Sequence, residues 1–475
     1  MDTKKLENLP LEVYWRICWH VPSKSQLSLA SRHMHTVTIP ELFRSVKFKA
    51  EDSATLAQRF ANVVKYANLI RRVTVSSSTL FTIEQAEDEM VASVIGTLDR
   101  VFSFEWNACT ITLSRQILSA VLALPELIYI QTCSVPVGVQ VKQMNTLKSI
   151  RLLRLRSLDE AEVVNGLIRH SPALTRLSIR VAEPNELNVD TESATMFLPV
   201  LFEGISGLDL ETLALFNFAR LDINYLSHCV RFENLTTLRL DSSDPFVHSA
   251  VSESLKFPSA MRTLDLTFGR SAVSYDGAPL LTVLCRDLRS VENLNLKFLC
   301  APLAHDHVLD TIVAPLVLNL SALPFKLRKL SLHVWSISSG HYLLLAPWSL
   351  NHLDTLAHSV SGSNLRSLAL DLSRNATPFQ DLIDHLGPLK SLRELYVNYA
   401  PSFYYGTGIY DICRREAMAL KTALPGLELI WLNSVELKMP VRKRLKGWDD
   451  QYDEHVGDEY FADDNNFHVF ASRLF

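Results

Sequence analysis

Only a few local patterns in the sequence place together side chains that could do chemistry. His305-Asp306-His307 would put two imidazoles on one side of a strand, as metal ligands sometimes are, but no third ligand stands at a suitable spacing. Gly406-Thr407-Gly408 is a lone glycine pair and too short for a phosphate-binding loop. The motifs H-E-x-x-H, G-x-S-x-G and G-x-x-x-x-G-K-[ST] are absent from the sequence. We therefore expect no catalysis, no cofactor and no metal ion.

The cysteines and the apolar runs bear on the compartment. The seven cysteines are scattered and none is spaced as C-x-x-C, which signals neither a disulfide framework nor a zinc site and fits a reducing compartment. The first residues lack the unbroken apolar stretch of a secretory signal, and no run approaches the roughly 20 apolar residues that span a bilayer. We expect a soluble protein of the cytosol or nucleus, with no membrane partner.

The composition is that of a folded chain without a strong charge bias. Of the 475 residues, 48% are hydrophobic and 21% are charged, and the formal net charge is −4. A disordered chain would have fewer apolar residues, and a nucleic-acid-binding chain would usually be basic. Nucleic acid is therefore not an expected partner. The length exceeds the roughly 300 residues that one ordinary core can fill, which favours several domains or a stacked repeat.

One short pattern, L-x-x-L-x-L, recurs along most of the chain. The last positions alternate with period two, so their apolar residues point to one side of a short strand. Several segments between copies have helical spacing, as in residues 160–168 and 379–386. Stacked copies would seal a leucine core that a single copy could not bury. Clear copies begin at Leu174, Leu210, Leu235, Met261, Val291, Leu327, Leu365, Leu392 and Leu427, and weaker ones at Ile70, Val101, Leu127 and Ile150.

This pattern resembles that of the leucine-rich-repeat family. The resemblance implies an α/β solenoid over residues 49–435, with parallel strands on the concave face and helices on the convex face. The spacing between copies is irregular, and the Asn that usually follows each strand is mostly missing, so a divergent solenoid is expected. An ordinary doubly wound α/β sheet, which also alternates strands and helices, is the alternative.

The N-terminal residues have a different pattern. A helix is expected from Pro10 to His20, because proline suits a first helical turn, and Pro22 then ends it before a second, leucine-containing helix. The L-P-x-E-V-x-x-x-I opening at Leu9, that second helix and the P-x-L-F-R-x-V-x-F stretch ending at Phe48 resemble the F-box, a three-helix motif. We place this motif at residues 6–48.

The F-box resemblance implies binding to a Skp-family adaptor and, through it, to a cullin. The apolar side chains of the motif offer more surface than so short a segment can bury internally, which also favours a partner. The expected adaptor contacts are Leu9, Pro10, Glu12, Val13, Ile17, Val21, Leu27 and Leu29. The alternative is that these helices only cap the open end of the solenoid.

The side chains between the core residues of each strand are expected to form a binding surface for a protein substrate. Arg, Tyr and Trp dominate binding hot spots, and several guanidiniums on one sheet could bind carboxylates or a phosphorylated peptide. The expected substrate contacts are Arg154, Arg180, Arg239, Lys297, His333, Tyr396, Tyr404 and Trp431. Tyr404 belongs to an aromatic loop, residues 396–410, which either recognises the partner or packs over the end of the core.

The last segment, residues 436–475, carries a basic block followed by acidic and aromatic residues. It is expected to be a tail or a cap, and its charges allow it to fold back on itself or on the arginines of the strands. Together, the resemblances to the F-box and to the leucine-rich-repeat family imply a non-enzymatic substrate-recognition subunit of a Skp-cullin-F-box ubiquitin ligase. The alternative is a leucine-rich-repeat scaffold that belongs to no ligase.

Overall fold

The computed structural model describes residues 38–39, 42–77, 79, 81–108, 113–182, 195–219, 221, 223–242, 260–268, 290–300, 315–318, 326–338, 341–345, 348–373, 378–400, 409–432 and 435–438. All the predicted adaptor contacts and Tyr404 lie outside these ranges, as does residue 439 and everything after it. The chain divides into two compact units, the first formed by Met1–Ala219 with His228–Arg231 and the second by Arg220–Ser227 with Phe232–Phe475.

The strands of the first unit pair in sequence order, and the pairs from β1 to β7 are parallel. Parallel neighbours start at the same end of the sheet, so the chain must return between successive strands, and each return completes one repeat. The strands are β1 (Ser45–Ala50), β2 (Arg72–Ser77), β3 (Ser103–Trp106), β4 (Tyr129–Thr132), β5 (Ser149–Leu155), β6 (Arg176–Val181) and β7 (Thr212–Phe218).

Helices form much of the return segments of the first unit. They are α1 (Ser53–Val63), followed by a 3-10 helix (Val64–Leu69), then α2 (Gln85–Gly96), α3 (Arg115–Leu122), α4 (Leu158–Arg169) and α5 (Phe197–Leu201). Polar caps set three of the starts, because the side chains of Asp52, Ser114 and Ser157 each accept a hydrogen bond from a backbone N–H three residues later. Such caps satisfy N–H groups that the first helical turn leaves without partners.

The second unit repeats the parallel arrangement with longer strands. Its strands are β8 (Thr237–Ser242), β9 (Thr263–Phe268), β10 (Asn293–Cys300), β11 (Lys329–Ser338), β12 (His341–Leu345), β13 (Ser367–Ser373), β14 (Glu394–Ala400), β15 (Leu429–Leu432) and β16 (Val435–Lys438). Its helices are α6 (Ile223–Cys229), which begins in this unit, a 3-10 helix (Phe232–Asn234), α7 (Leu350–Ala357), α8 (Val360–Ser363), α9 (Phe379–Leu386) and α10 (Ile409–Ala423). Within the described ranges, no helix is long and apolar enough to cross a membrane.

Two strands of the second unit run against the others. Strand β12 pairs antiparallel with the second half of β11, and β11 pairs with β13 only from Lys329 to Ser331. Strand β16 pairs antiparallel with β15. The predicted end of the solenoid at residue 435 is the first residue of β16, so this hairpin straddles the predicted boundary.

Strand β1 contains the end of the segment that resembles an F-box. It pairs with β2 from Ser45 to Ala50, and its Phe48 is buried with its ring 4.2 Å from that of Phe60. Residues 45–50 are therefore part of the repeat sheet, and the predicted boundary between residues 48 and 49 falls within this strand.

The predicted apolar positions form the core. Leu174, Leu177 and Ile179 are 2%, 0% and 0% exposed, and the corresponding positions are buried in the copies that begin at Ile70, Val101, Leu127, Leu210, Leu235, Met261, Val291, Leu327, Leu365, Leu392 and Leu427. One strand per repeat, parallel pairing and a continuous apolar stripe are the features of the leucine-rich-repeat fold. The α/β repeat architecture is confirmed for the residues that the structure describes.

The frame of one repeat was predicted wrongly. The sequence pattern placed Ile150, Leu153 and Leu155 at its three core positions, but Leu147, Ile150 and Leu152 occupy them. Ile150 pairs with Leu177 and Leu152 with Ile179, and the register then shifts before Leu155. Apolar residues fit both frames here, and a bulge in β5 leaves Leu153 half-buried and Leu155 in the core.

The cysteine spacing signalled no disulfide framework, but Cys133 is disulfide-bonded. Cys229 and Cys413 are buried free thiols. The scattered spacing of the seven cysteines carries no signal of this bond.

Truncating Leu152 and Leu153 separately tests the register of β5. Leu152→Ala removes a buried core side chain and should cost about 2–5 kcal/mol of unfolding free energy, whereas Leu153→Ala should cost less than about 1 kcal/mol. Urea denaturation of both variants, followed by circular dichroism, measures the difference. Equal losses, or a larger loss for Leu153→Ala, would contradict the register.

Candidate functional site

The side chains that alternate with the core residues along the strands lie on the other side of the sheet, which we call the polar face. In the first unit this face is strongly cationic. Its charged residues are Lys47, Lys49, Arg72, Arg151, Arg154, Arg176 and Arg180, against the single acid Glu105. The cations lie on β1, β2, β5 and β6, and most of them are exposed.

Arg154 and Arg180, both predicted as substrate contacts, lie near each other. After the bulge in β5, Leu155 pairs with Val181, which sets the preceding residues Arg154 and Arg180 side by side. The guanidinium of Arg180 lies 5.0 Å from the ring centroid of Phe216 on β7. A ring beneath a guanidinium holds the cation by its quadrupole and limits its conformational freedom.

Three polar side chains linked by hydrogen bonds lie near the middle of the same face. The Tyr129 hydroxyl donates to Gln131 Oε1 at 2.6 Å, and Gln131 Nε2 donates to Asn107 Oδ1. Burial raises the pKa of Tyr129, and the positive charge of Arg151 partly offsets that rise. Tyr129 is therefore a hydrogen-bonded, half-buried ring next to Arg151 and is not displayed for stacking.

In the second unit, Arg239 and Lys297 both lie near one half-buried acid, Asp265. Asp265 on β9 pairs in register with Arg239 on β8 and with Asn295 on β10, and it accepts a hydrogen bond from Asn295 Nδ2 at 2.9 Å. Burial raises the pKa of Asp265 to about 6, although Arg239 and Lys297 lower it. This region carries both acidic and basic side chains, and these side chains interact electrostatically with one another.

Three buried polar residues and the half-buried Asn398 form a hydrogen-bonded chain across β11, β13 and β14. His333 Nδ1 lies 2.6 Å from Asp371 Oδ2, and His333 Nε2 lies 2.6 Å from Ser331 Oγ. Asn398 Nδ2 donates to the other carboxylate oxygen of Asp371 at 3.0 Å. Because a carboxylate only accepts, His333 Nδ1 donates to Asp371, and His333 Nε2 shares the other hydrogen bond with the Ser331 hydroxyl.

This chain has the order of a nucleophile, a base and an orienting acid, but it is closed to a substrate. Ser331 and Asp371 are 0% exposed and His333 is 6% exposed, so no acyl group reaches Ser331 Oγ in this structure. The β11–β13 pairing ends at Ser331, and the imidazole of His333 spans to β13 just beyond that point. These hydrogen-bonded side chains thus join the two strands where their backbone pairing stops.

Tyr396 and Trp431 form an aromatic pair at the last parallel strands. They stand opposite each other on β14 and β15, with ring centroids 6.0 Å apart and an angle of 26° between the planes. Offset stacking at this distance stabilises both rings and leaves them half-buried.

The structure brings most of the predicted substrate contacts together within each unit. Arg154 and Arg180 are neighbours in the first unit, and Tyr396 is stacked on Trp431 in the second. Lys297 pairs with His333, whose burial contradicts the expectation that alternate strand residues are all open to a partner. Tyr404 lies outside the described residues.

Sequence reasoning missed Ser331, Asp371 and Asn398. A signal was present, because His333, Asp371 and Asn398 each follow the last core position of an aligned repeat. Aligning the repeats by their core leucines places the three polar residues in one row across neighbouring strands, where cross-strand hydrogen bonds form.

Repeated parallel strands, a leucine core and a separate polar face define the leucine-rich-repeat class of fold. No family model and no curated protein matches the chain. Among solved structures, the chain is similar to the crystal structure of the TLR13–ssRNA13 complex, with 14% sequence identity and a TM-score of 0.28. The match covers 76% of this chain and 48% of that chain, so this chain spans about half of that protein's length. Similarity at this level supports no inference about partners.

Removing the acid of the buried chain tests its structural role. Asp371→Ala leaves the His333 ring and the Asn398 amide without their shared acceptor and should cost about 3–5 kcal/mol. Asp354, whose side chain is 52% exposed and lies 3.4 Å from the rings of His358 and His385, is the matched control. Asp354→Ala should cost less than about 1 kcal/mol. Chemical denaturation measures both, and a small loss for Asp371→Ala would show that the chain does not hold the strands.

The raised pKa of Asp265 predicts a fall in stability with pH. The folded-state pKa of about 6 exceeds the unfolded value of about 3.9, so the folded state binds more protons between these values, and stability decreases as pH rises from about 4 to 6. Asp265→Asn should remove this contribution and flatten the pH dependence of the urea midpoint. The exposed Asp384→Asn serves as the control and should leave the profile unchanged. A profile for Asp265→Asn identical to that of the wild type would contradict the assignment.

Proposed function

We propose that the chain is a non-enzymatic substrate receptor of a Skp-cullin-F-box ubiquitin ligase. The N-terminal motif binds the Skp-family adaptor through residues 9–29 and thereby a cullin, and the polar face of the repeats binds a protein substrate. The observation that supports a binding role is the division of each strand into two sides. The apolar side is buried in the core, while the other side carries Arg, Lys, Tyr and Trp residues typical of interfaces.

The adaptor half of the proposal is supported by the resemblance of the N-terminal motif to an F-box. Its contact residues are Leu9, Pro10, Glu12, Val13, Ile17, Val21, Leu27 and Leu29. The receptor supplies no chemistry of its own. It raises the effective concentration of the substrate near the ubiquitin-charged enzyme, which accelerates transfer without any catalytic side chain in the receptor.

A pull-down with purified Skp-family adaptor tests this function. The double variant Leu9→Ala with Pro10→Ala removes two apolar contacts at the first turn of the motif and should reduce capture of the full chain by roughly 100-fold. Leu11→Ala, at the variable position between the motif residues, is the matched control and should leave capture nearly unchanged.

Capture that survives the double variant, or no capture of the unmodified chain, would refute the ligase role. The chain would then be a leucine-rich-repeat interaction scaffold whose N-terminal helices cap the solenoid. Thermal melting separates the two roles further, because the loss of a cap lowers stability whereas the loss of an adaptor contact does not.

A further inference from the structure

The charge distribution of the first unit points to a specific class of partner: we infer that its polar face docks an extended acidic segment of a protein. This inference rests on the proposed function, since such a segment would belong to the substrate. It goes beyond that function by naming the recognition chemistry and the unit that provides it.

The first support is the imbalance of charge. Seven cationic side chains and one acidic side chain stand on the polar face of β1–β7, although the whole chain has a formal net charge of −4. Arg151, Arg176 and Arg180 form no ion pair with any described residue. The charges of these three arginines are therefore not balanced by an ion pair among the described residues, and they are available to an acidic partner.

The second support is the geometry of β5 and β6. Arg151 pairs in register with Ser178, and Arg176 and Arg180 stand on either side of that serine along β6. Arg151 is therefore the diagonal cross-strand neighbour of both Arg176 and Arg180, at about 7–8 Å from each. Like charges this close repel one another, and carboxylates placed between them relieve the repulsion through charge-assisted hydrogen bonds.

The third support concerns the aromatic residues, which favour a peptide over RNA. Phe216 lies under Arg180, and Phe102 lies 5.3 Å from the guanidinium of Arg72, so both rings already hold cations. Tyr129 is half-buried and donates to Gln131. Binding of single-stranded nucleic acid relies on rings that are free to stack on bases, and these rings are engaged.

The size of the face sets the length of the segment. From β1 to β6 the face spans five strand spacings, or about 24 Å, which an extended peptide of about eight residues crosses. Lys47 and Lys49 stand at one end of this path and Arg176 and Arg180 at the other. An acidic peptide of about ten residues is therefore long enough to contact both ends.

Fluorescence anisotropy of the full chain with a labelled decaglutamate peptide tests the inference. The triple variant Arg151→Gln, Arg176→Gln and Arg180→Gln should bind the peptide roughly tenfold more weakly or worse, and its affinity should depend less on salt. The matched control changes Arg100, Arg169 and Arg231 to Gln. These arginines are exposed in the same unit but lie off the strands, and the net charge changes equally.

Equal weakening by both triple variants would overturn the inference, because it would show a response to net charge alone. Tighter binding of a ten-nucleotide oligouridine RNA than of the peptide would overturn it as well. If the face variant melts early, the pair Lys47→Gln with Lys49→Gln, both exposed on β1, replaces it and should still weaken binding by roughly threefold.

Adaptor capture is measured on the same proteins to separate this inference from the ligase role. The face variants should retain adaptor capture, and the Leu9→Ala with Pro10→Ala protein should retain decaglutamate binding. If the unmodified chain binds the peptide but does not capture the adaptor, only the ligase role is refuted. If the unmodified chain captures the adaptor, but the face variant loses no more peptide binding than the matched control, only the acidic-segment inference is refuted.

Discussion

The structure depends on one constraint, which is that a single short strand with apolar residues on one side cannot bury them by itself. Each repeat presents two or three apolar side chains, and only the equivalent residues of the next repeat, together with the returning segment, exclude water from them. Parallel pairing in register keeps these residues in continuous rows, as between Leu177 and Leu213. The rows require apolar residues on the core side. Differences in residue type between repeats are therefore confined to the other side of the strands and to the return segments.

The polar side differs between the two units for physical reasons. In the first unit, exposed cations such as Arg151 and Arg176 remain near water, which keeps the cost of placing them close together low. In the second unit, polar residues such as Ser331 and Asp371 are fully buried, and burial without partners would be expensive. Their hydrogen bonds therefore satisfy one another across strands. The first arrangement suits recognition by charge, whereas the second suits the joining of strands.

The sequence predicted the core better than the polar side. Period-two alternation identifies which residues face inward, and nearly every such position, from Ile70 to Leu432, is buried. The error at β5 arose because Leu152 and Leu153 are adjacent, and a bulge decides which one enters the core. Alternation gives the face of a residue but not its partner on the next strand, so the contact between His333 and Asp371 was missed, although His333 had been selected. The disulfide of Cys133 was missed because the scattered spacing of the seven cysteines carries no signal of pairing.

The antiparallel strand β16 has a consequence for self-association. An open parallel sheet ends in a row of unpaired backbone groups, which another copy of the same chain could extend by stacking its own first strand in the same direction. Because Val435–Lys438 runs antiparallel to β15, a strand added there in the direction of the repeats would pair with β16 in the antiparallel manner and not as a further parallel repeat. Among the described strands, the run of parallel pairs therefore ends at β15, and β16 changes the pairing that the edge of the sheet offers.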